Sequence, residues 1–295
     1  MQRDAFLAAL LRTLLECNSM VHPSVVKLLE KEYAPQRSEK WYTMRESVIT
    51  ASDAGSALGM NKPFKTRDQF VREKCGYFMV DGKLVQCAKK PDTSSDATRY
   101  GCKYEDEARD EYVNRTGEVV HEIGLATHPV YTWLAGSPDG ITESGRLLEI
   151  KCPYKDKVDQ TIKPVYLVQI QLLMEILDLD VCDFVKYRPS CCSKTGALEY
   201  SIREFKRDRE FFESIRPILE DTWEEIKIKR LVGLCEIGPD EVLHVPESQP
   251  ASVQDVSEAL LCEALAPGTA QLSGTCGQGE AGEDHSGAEG SVSCC

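Results

Sequence analysis

The run SPDGITESGRLLEIKCP, residues 137–153, brings together side chains that could carry out metal-assisted phosphodiester chemistry. If Asp139 ends one strand and Glu149 lies in the next, a hairpin sets both carboxylates at one end of a sheet. Side-chain alternation then puts Glu149 and Lys151 on the same face. Converging carboxylates repel unless they are protonated or bridged by a cation, and hard divalent ions take oxygen ligands. A neighbouring lysine can orient a water, help deprotonate it, or stabilise developing phosphoryl charge. Glu105, on the preceding helix, is a candidate third carboxylate, and the Ile150 backbone carbonyl is a further candidate oxygen ligand. Two ions ~4 Å apart could then divide the work between nucleophile and leaving oxygen. Pro-Asp followed by Glu-x-Lys is a short pattern, and a solvated turn followed by an edge-strand salt bridge would also produce it.

Regular elements are needed to position these groups. The apolar spacing of GCKYEDEARDEYVNRTG predicts a helix from about Lys103 to Asn114, ended by Gly117, with Tyr104, Ala108 and Tyr112 on one side. EVVHEIGLA, TWLAGSP and RLLEIKC read as strands, with Pro138, Asp139 and Gly140 as the turn between the second and third. PVYLVQIQLLMEIL reads as a helix with Pro164 in its first turn. Strands VCDFVKYR and LEYSIREF and a helix from about Arg207 to Lys229 complete the pattern. Upstream, DAFLAALLRTLLE and SVVKLLEKEY read as accessory helices and APQRSEK as a polar linker. Ser52 is placed to cap a short helix closed by Gly59, and Thr66 to open another running to Lys74. Residues 81–99 read as a polar loop or edge excursion whose Lys83, Lys89, Lys90 and Arg99 could meet phosphates. Helices around a mixed sheet make the fold class α/β (α+β).

Taken in order, WYTMRESVITASDAGSALG, GCKYEDEARDEY, HPVYTWLAGSPDG, LLEIKCPY and YLVQIQLLMEI resemble the YqaJ-like viral recombinase family, which includes phage lambda exonuclease. The resemblance spans about residues 41–190. It implies a restriction-endonuclease-like core of the PD-(D/E)xK nuclease superfamily, with a central mixed sheet flanked by helices. It also implies Mg2+- or Mn2+-dependent digestion of linear double-stranded DNA from the 5′ end through two ions, leaving a 3′ strand for recombination or repair. Under it, Glu105, Asp139 and Glu149 become metal ligands with the Ile150 carbonyl, and Lys151 becomes the catalytic lysine. Gln169 supports that lysine, Tyr166 lines the site one helical turn earlier, and Arg45, Ser52 and Ser137 bind the 5′-terminal phosphate. A single-strand annealing protein and a homo-oligomer are the partners it suggests beyond DNA. A structure-specific endonuclease on the same core, or an inactive DNA-end-binding scaffold, are the competing functions.

Single residues also have plainer readings. Arg45 could be a surface arginine, Ser52 a helix cap, and Gln169 and Gln171 solvent-facing. Cys152 reads as a packing residue, since no histidine nearby in sequence would activate it. His121 and His128 read as polar strand-end residues rather than metal ligands, and Trp41, Tyr42, Tyr131 and Trp133 could stack on bases or simply pack.

The 295 residues carry a net charge of -13, from 35 basic and 48 acidic side chains, a balance adverse to phosphate binding if it were evenly spread. No Lys or Arg follows Arg230, and 11 acidic residues do, so residues 1–230 hold 35 basic against 37 acidic side chains. The expected organisation is therefore a helical extension over 1–38, a nuclease domain over 39–230 and an acidic, largely disordered tail over 231–295. Thirteen cysteines, an odd number without a CxxC pair or signal peptide, are expected to be free thiols in a reducing intracellular compartment, nuclear or cytoplasmic. That composition argues against structural zinc. No run approaches 18 apolar residues, so no membrane-spanning helix is expected.

Overall fold

The computed structural model describes residues 21–62, 64–80, 83–86 and 94–232. The first expected helix, residues 233–295 of the expected tail, and Lys89 and Lys90 lie outside the described residues. Local signals account for most helices. Helix α1, Pro23–Leu29, starts on a proline. Helix α4, Arg67–Lys74, opens with a capping box in which Thr66 Oγ1 accepts from Gln69 N and Gln69 Oε1 from Thr66 N. Helix α5, Asp96–Thr116, ends on Gly117 at φ 72, a left-handed position suited to glycine. Helices α6, Pro164–Leu177, and α7, Arg209–Val232, close the order.

Four expectations need correction. Helix α2, Glu39–Glu46, forms where the sequence reads as linker and untyped chain, because Ser38 Oγ caps it by accepting from Trp41 N at 3.2 Å. Ser52 is not the cap of the short helix α3, Ala54–Ala57. It lies inside a preceding 3-10 turn, Ala51–Asp53, and its hydroxyl bonds elsewhere. The polar stretch 81–99 is no simple loop: β2, Tyr77–Val80, pairs antiparallel with β3, Lys83–Gln86, and α5 already begins at Asp96. Finally, TWLAGSP and RLLEIKC do not form one hairpin. The former supplies β6, Leu134–Gly136, to a small sheet with β1, Ile49–Thr50, and β5, Ala126–Thr127. Antiparallel to β8, Arg146–Lys151, is instead β7, Gly140–Thr142, which takes in Gly140 of the expected turn and the two residues after it.

The main sheet has the order β10-β9-β8-β7-β4, with β4 at Val120–His121, β9 at Val181–Arg188 and β10 at Glu199–Lys206. Strands β8 and β9 run parallel, joined by α6, and the other pairs are antiparallel. This is the mixed sheet flanked by helices that the patterning predicted. Period-two alternation divides β8 between the two layers. Leu148 and Ile150 pack with Tyr104, Ala108 and Tyr112 of α5, while Leu147 joins the core that includes Leu167, Ile170 and Leu173 of α6. Glu149 and Lys151 therefore point into the α6 layer. Val25 and Leu28 of α1 belong to that same large core, so this helix packs as part of the main body.

Beneath α5 a polar knot ties the sheet together. Arg146 grips Asp183 with Nε at 2.7 Å and Nη2 at 2.6 Å, and the Tyr112 hydroxyl donates to Asp183 Oδ2 at 2.7 Å. Asp183→Ala would leave the buried phenol without its acceptor and Arg146 held by Glu204 alone. The expected loss is about 3 kcal/mol of unfolding free energy in chemical denaturation, since breaking a buried pair leaves its partners desolvated. A loss below about 1 kcal/mol would show the knot to be dispensable.

Candidate active site

Strand register brings the central groups together. Gly140 lies opposite Leu148, so Asp139, one residue before β7, falls beside Glu149 just where the β7 ladder ends. There Asp139 Oδ2 takes the place of a strand partner and accepts from Ile150 N at 2.7 Å. In extended backbone the N–H and C=O of one residue point to the same side, so the Ile150 carbonyl faces Asp139 as well. Lys151 Nζ donates to Glu149 Oε1, and Gln169 Nε2 donates to the same oxygen at 2.6 Å. Lys151 Nζ also sits 5.2 Å from the centre of the Tyr166 ring. Both helix glutamines are buried rather than solvent-facing: Gln171 bonds Lys206 O and Asp208 N, and Gln169 is given to Glu149.

Glu105 is on α5, in the opposite layer, and its charge still bears on Asp139 and Glu149. It is engaged by Arg37 Nη2 at 3.0 Å and by Arg109 Nη2 at 3.7 Å. Burial, and then the Asp139 charge, push Glu149 up to about 8. Burial also raises Asp139, and burial with Asp139 raises Glu105. Burial alone would lower Lys151; Glu149 and Asp139 reverse this and hold its ammonium form above the ordinary lysine range. Burial, then Glu105 and Asp139, push the Cys152 thiol up to about 12, which suits a packing residue and not a nucleophile.

By its chemistry, though not by its present geometry, the donor set suits a divalent cation. Glu149 Oε2 is buried with no hydrogen-bond partner, next to Asp139 and the Ile150 backbone and within the field of the Glu105 charge. As they stand, however, the three carboxylates are turned to Lys151, Ile150 N, Arg37 and Arg109. Among the described residues no three His, Cys, Asp or Glu side chains are gathered closely enough to hold an ion. The two histidines take structural roles: His128 Nδ1 accepts from Val130 N and Tyr131 N, and His121 Nε2 meets Glu143 Oε1 at 3.2 Å.

Arg45, Ser52 and Ser137 form a second group, reached by a residue whose part the sequence reading missed. Trp41 Nε1 donates to Ser137 Oγ at 2.8 Å, and the Arg45 guanidinium carbon lies 4.3 Å from the centre of the Trp41 ring. Arg45 Nη2 reaches Ser52 Oγ at 3.2 Å. The spacing of Trp41 and Arg45, one turn apart on a helix, was the available signal, but α2 itself had not been recognised. Behind them Asp53 lies 3.3 Å from Lys74 Nζ and 3.9 Å from Arg45 Nη2, and accepts from Thr50 Oγ1 at 2.8 Å. Burial works against its charge, yet Lys74 and Arg45 prevail and hold its carboxyl far below the usual range. Its contribution to stability is thus present above the unfolded carboxylate pKa and lost as pH falls below it. Asp53→Ala is expected to cost about 2–3 kcal/mol near neutral pH, with the deficit shrinking in acid melts. An equal deficit at pH 7 and pH 3 would reject the electrostatic origin.

A sheet that presents Asp139 beside Glu149 and Lys151, with buried Gln169 behind them, is the arrangement expected of a PD-(D/E)xK core. Residues 40–180, just under half of the chain, match the YqaJ-like viral recombinase domain, so this region is YqaJ-like and of the PD-(D/E)xK superfamily. Crystal structures of an alkaline exonuclease from Laribacter hongkongensis are similar, at 26% identity over 66% of this chain and 95% of that one. TM-scores are 0.52, and 0.53 for its complex with dAMP. An uncharacterized protein of Acanthamoeba polyphaga mimivirus is 30% identical over 171 residues, which cover 51% of this chain and 29% of the viral one. The chain thus matches under a third of that relative's length. Among the described residues no helix is long and apolar enough to cross a membrane. The described cysteines, Cys75, Cys102, Cys152, Cys182, Cys191 and Cys192, are free.

Proposed function

We propose that the protein is a metal-dependent exonuclease that degrades linear double-stranded DNA from 5′ to 3′, leaving 3′ single-stranded overhangs for recombination or repair. The observation that carries this reading is the sharing of Glu149 Oε1 by Lys151 and Gln169, beside Asp139 and a Glu149 oxygen with no partner. Asp139, Glu149, Glu105 and the Ile150 carbonyl would hold Mg2+ or Mn2+, as two ions. Bound there, the cation lowers the pKa of a water and neutralises phosphate charge. Lys151 keeps its proton and stabilises the charge that develops on the scissile phosphate. Gln169 fixes the Glu149 carboxylate so that Lys151 stays aimed, and the Tyr166 ring faces the lysine ammonium. Arg45, Ser52 and Ser137 bind the 5′-terminal phosphate, a fork and two hydroxyls suited to an anion with free oxygens. Ser137 stands two residues before Asp139, so end recognition and hydrolysis would be joined through one short turn. The 3′ strand left behind is the substrate a single-strand annealing protein would take.

The test uses 5′-phosphorylated linear duplex, 5′-hydroxyl duplex and closed circular DNA, each with Mg2+ or with EDTA. Hydrolysis is expected only with Mg2+, only on linear DNA, and faster with the 5′-phosphate. Efficient cutting of the closed circle would replace this reading with an endonuclease, and binding of duplex ends without hydrolysis would indicate a scaffold.

A further inference from the structure

The segment before α2 holds a residue that neither the motif nor the fold requires to be charged. Pro35 O accepts from Ser38 N at 3.1 Å, closing a turn in which Arg37 sits at φ 64. Glycine favours this left-handed position, and an L side chain there costs energy. The turn cannot easily move. Leu125 N donates to Ala34 O, and a Cβ on Gly124 would lie 1.8 Å from that same oxygen. Gln36 Nε2 donates to Pro138 O at 2.9 Å, directly before Asp139, and Ser38 is fixed as the α2 cap. A strained, clamped backbone therefore aims Arg37 at the site, where Nη2 meets Glu105 at 3.0 Å with half of the side chain still exposed. Arg109, the other cation on Glu105, is 12% exposed and held by Glu122, Asp106 and Asp139 O, so it is not free to change partners.

We propose that Arg37 is a DNA-binding residue that exchanges partners, bonding Glu105 in the cation-free protein and passing to a backbone phosphate of the duplex once a divalent cation occupies the carboxylates. This rests on the metal-dependent nuclease reading above. The exchange follows from charge: a divalent ion on Glu105 neutralises the carboxylate and repels the guanidinium, and a phosphate arriving at the same cation is the nearest replacement anion. Arg37 would thus make carboxylate release and DNA binding favour one another.

Arg37→Gly removes the side chain at a backbone position where glycine is at ease, so the full-length variant should melt at or above the wild-type temperature. Without a competing guanidinium its affinity for Mn2+ alone, measured calorimetrically, should rise by about threefold or more. In a Lys151→Ala background, to prevent turnover, 5′-phosphorylated duplex in Mn2+ should bind more weakly when Arg37→Gly is added. The slope of log K against log salt should shrink by about one. Unchanged Mn2+ affinity, or an unchanged salt slope, would overturn the exchange. If the Lys151→Ala parent itself fails to bind duplex, the nuclease reading fails instead, which separates the two.

Discussion

Asp139→Asn is expected to lower kcat by at least about 10³-fold, or about 4 kcal/mol of transition-state stabilisation, while leaving the fold intact and duplex binding within a few-fold. Asparagine keeps an oxygen where Asp139 Oδ2 accepts from Ile150 N, so the strand end remains closed. Only the charge is lost, and with it one anchor for a cation and one source of the upward pressure on Glu149. Asp139→Ala should lose as much turnover but also strand the Ile150 N–H, at a cost of about 1–3 kcal/mol. Equal activity loss with unequal melting temperatures would assign the chemistry to the charge and the stability to the hydrogen bond. Turnover within tenfold of wild type in Asp139→Asn would remove Asp139 from the metal site.

Glu149→Gln is expected to do opposite things to activity and stability. Its side-chain oxygen still accepts from Lys151 and Gln169, while the amide nitrogen replaces the oxygen that has no partner and no longer repels Asp139. Turnover should fall by about 10³-fold or more, and stabilisation of the protein by added Mg2+ should largely vanish. In EDTA the variant should be more stable than wild type above neutral pH. Burial and then the Asp139 charge push Glu149 up from an ordinary 4.5 to about 8, so the folded state binds that proton more tightly than the unfolded state does. Wild-type stability is therefore full at acid pH and declines as pH rises from about 4.5 towards 8, by a few kcal/mol at most. Melts between pH 5 and pH 9 should show that decline in wild type and a flatter profile in Glu149→Gln. Parallel profiles would mean that Glu149 does not carry the buried charge.

Much of this site was legible because its signals are local. The helix carrying Gln169 was expected over Pro164–Leu177 and forms over those residues, since an apolar run with proline at its start needs no distant partner. Thr66 and Gly117 marked the ends of their helices in the same way. Glu149 and Lys151 share a face because alternation is a property of any strand. The misread pieces depend on partners far away in sequence. Gly140 reads as the end of a turn, yet residues 140–142 become a strand because β8 offers them a ladder. Leu134–Gly136 joins Ile49–Thr50, more than eighty residues earlier. Trp41 could stack or pack on paper, and only its contacts with Ser137 and Arg45 show that it ties that second group together.

By itself, the sequence determined the chemical kind of the site: carboxylates, a lysine and a glutamine on elements whose periodicity and caps are written within a few residues of each. Tertiary structure decided which of these groups meet, and at what electrostatic cost. The burial that leaves a Glu149 oxygen without a partner, the Lys74–Asp53 pair behind Arg45, and the strained Arg37 held on Glu105 all arise where separate segments converge. Desolvation and long-range charge belong to the packed molecule, because each depends on what has displaced water around a group rather than on its neighbours in the chain.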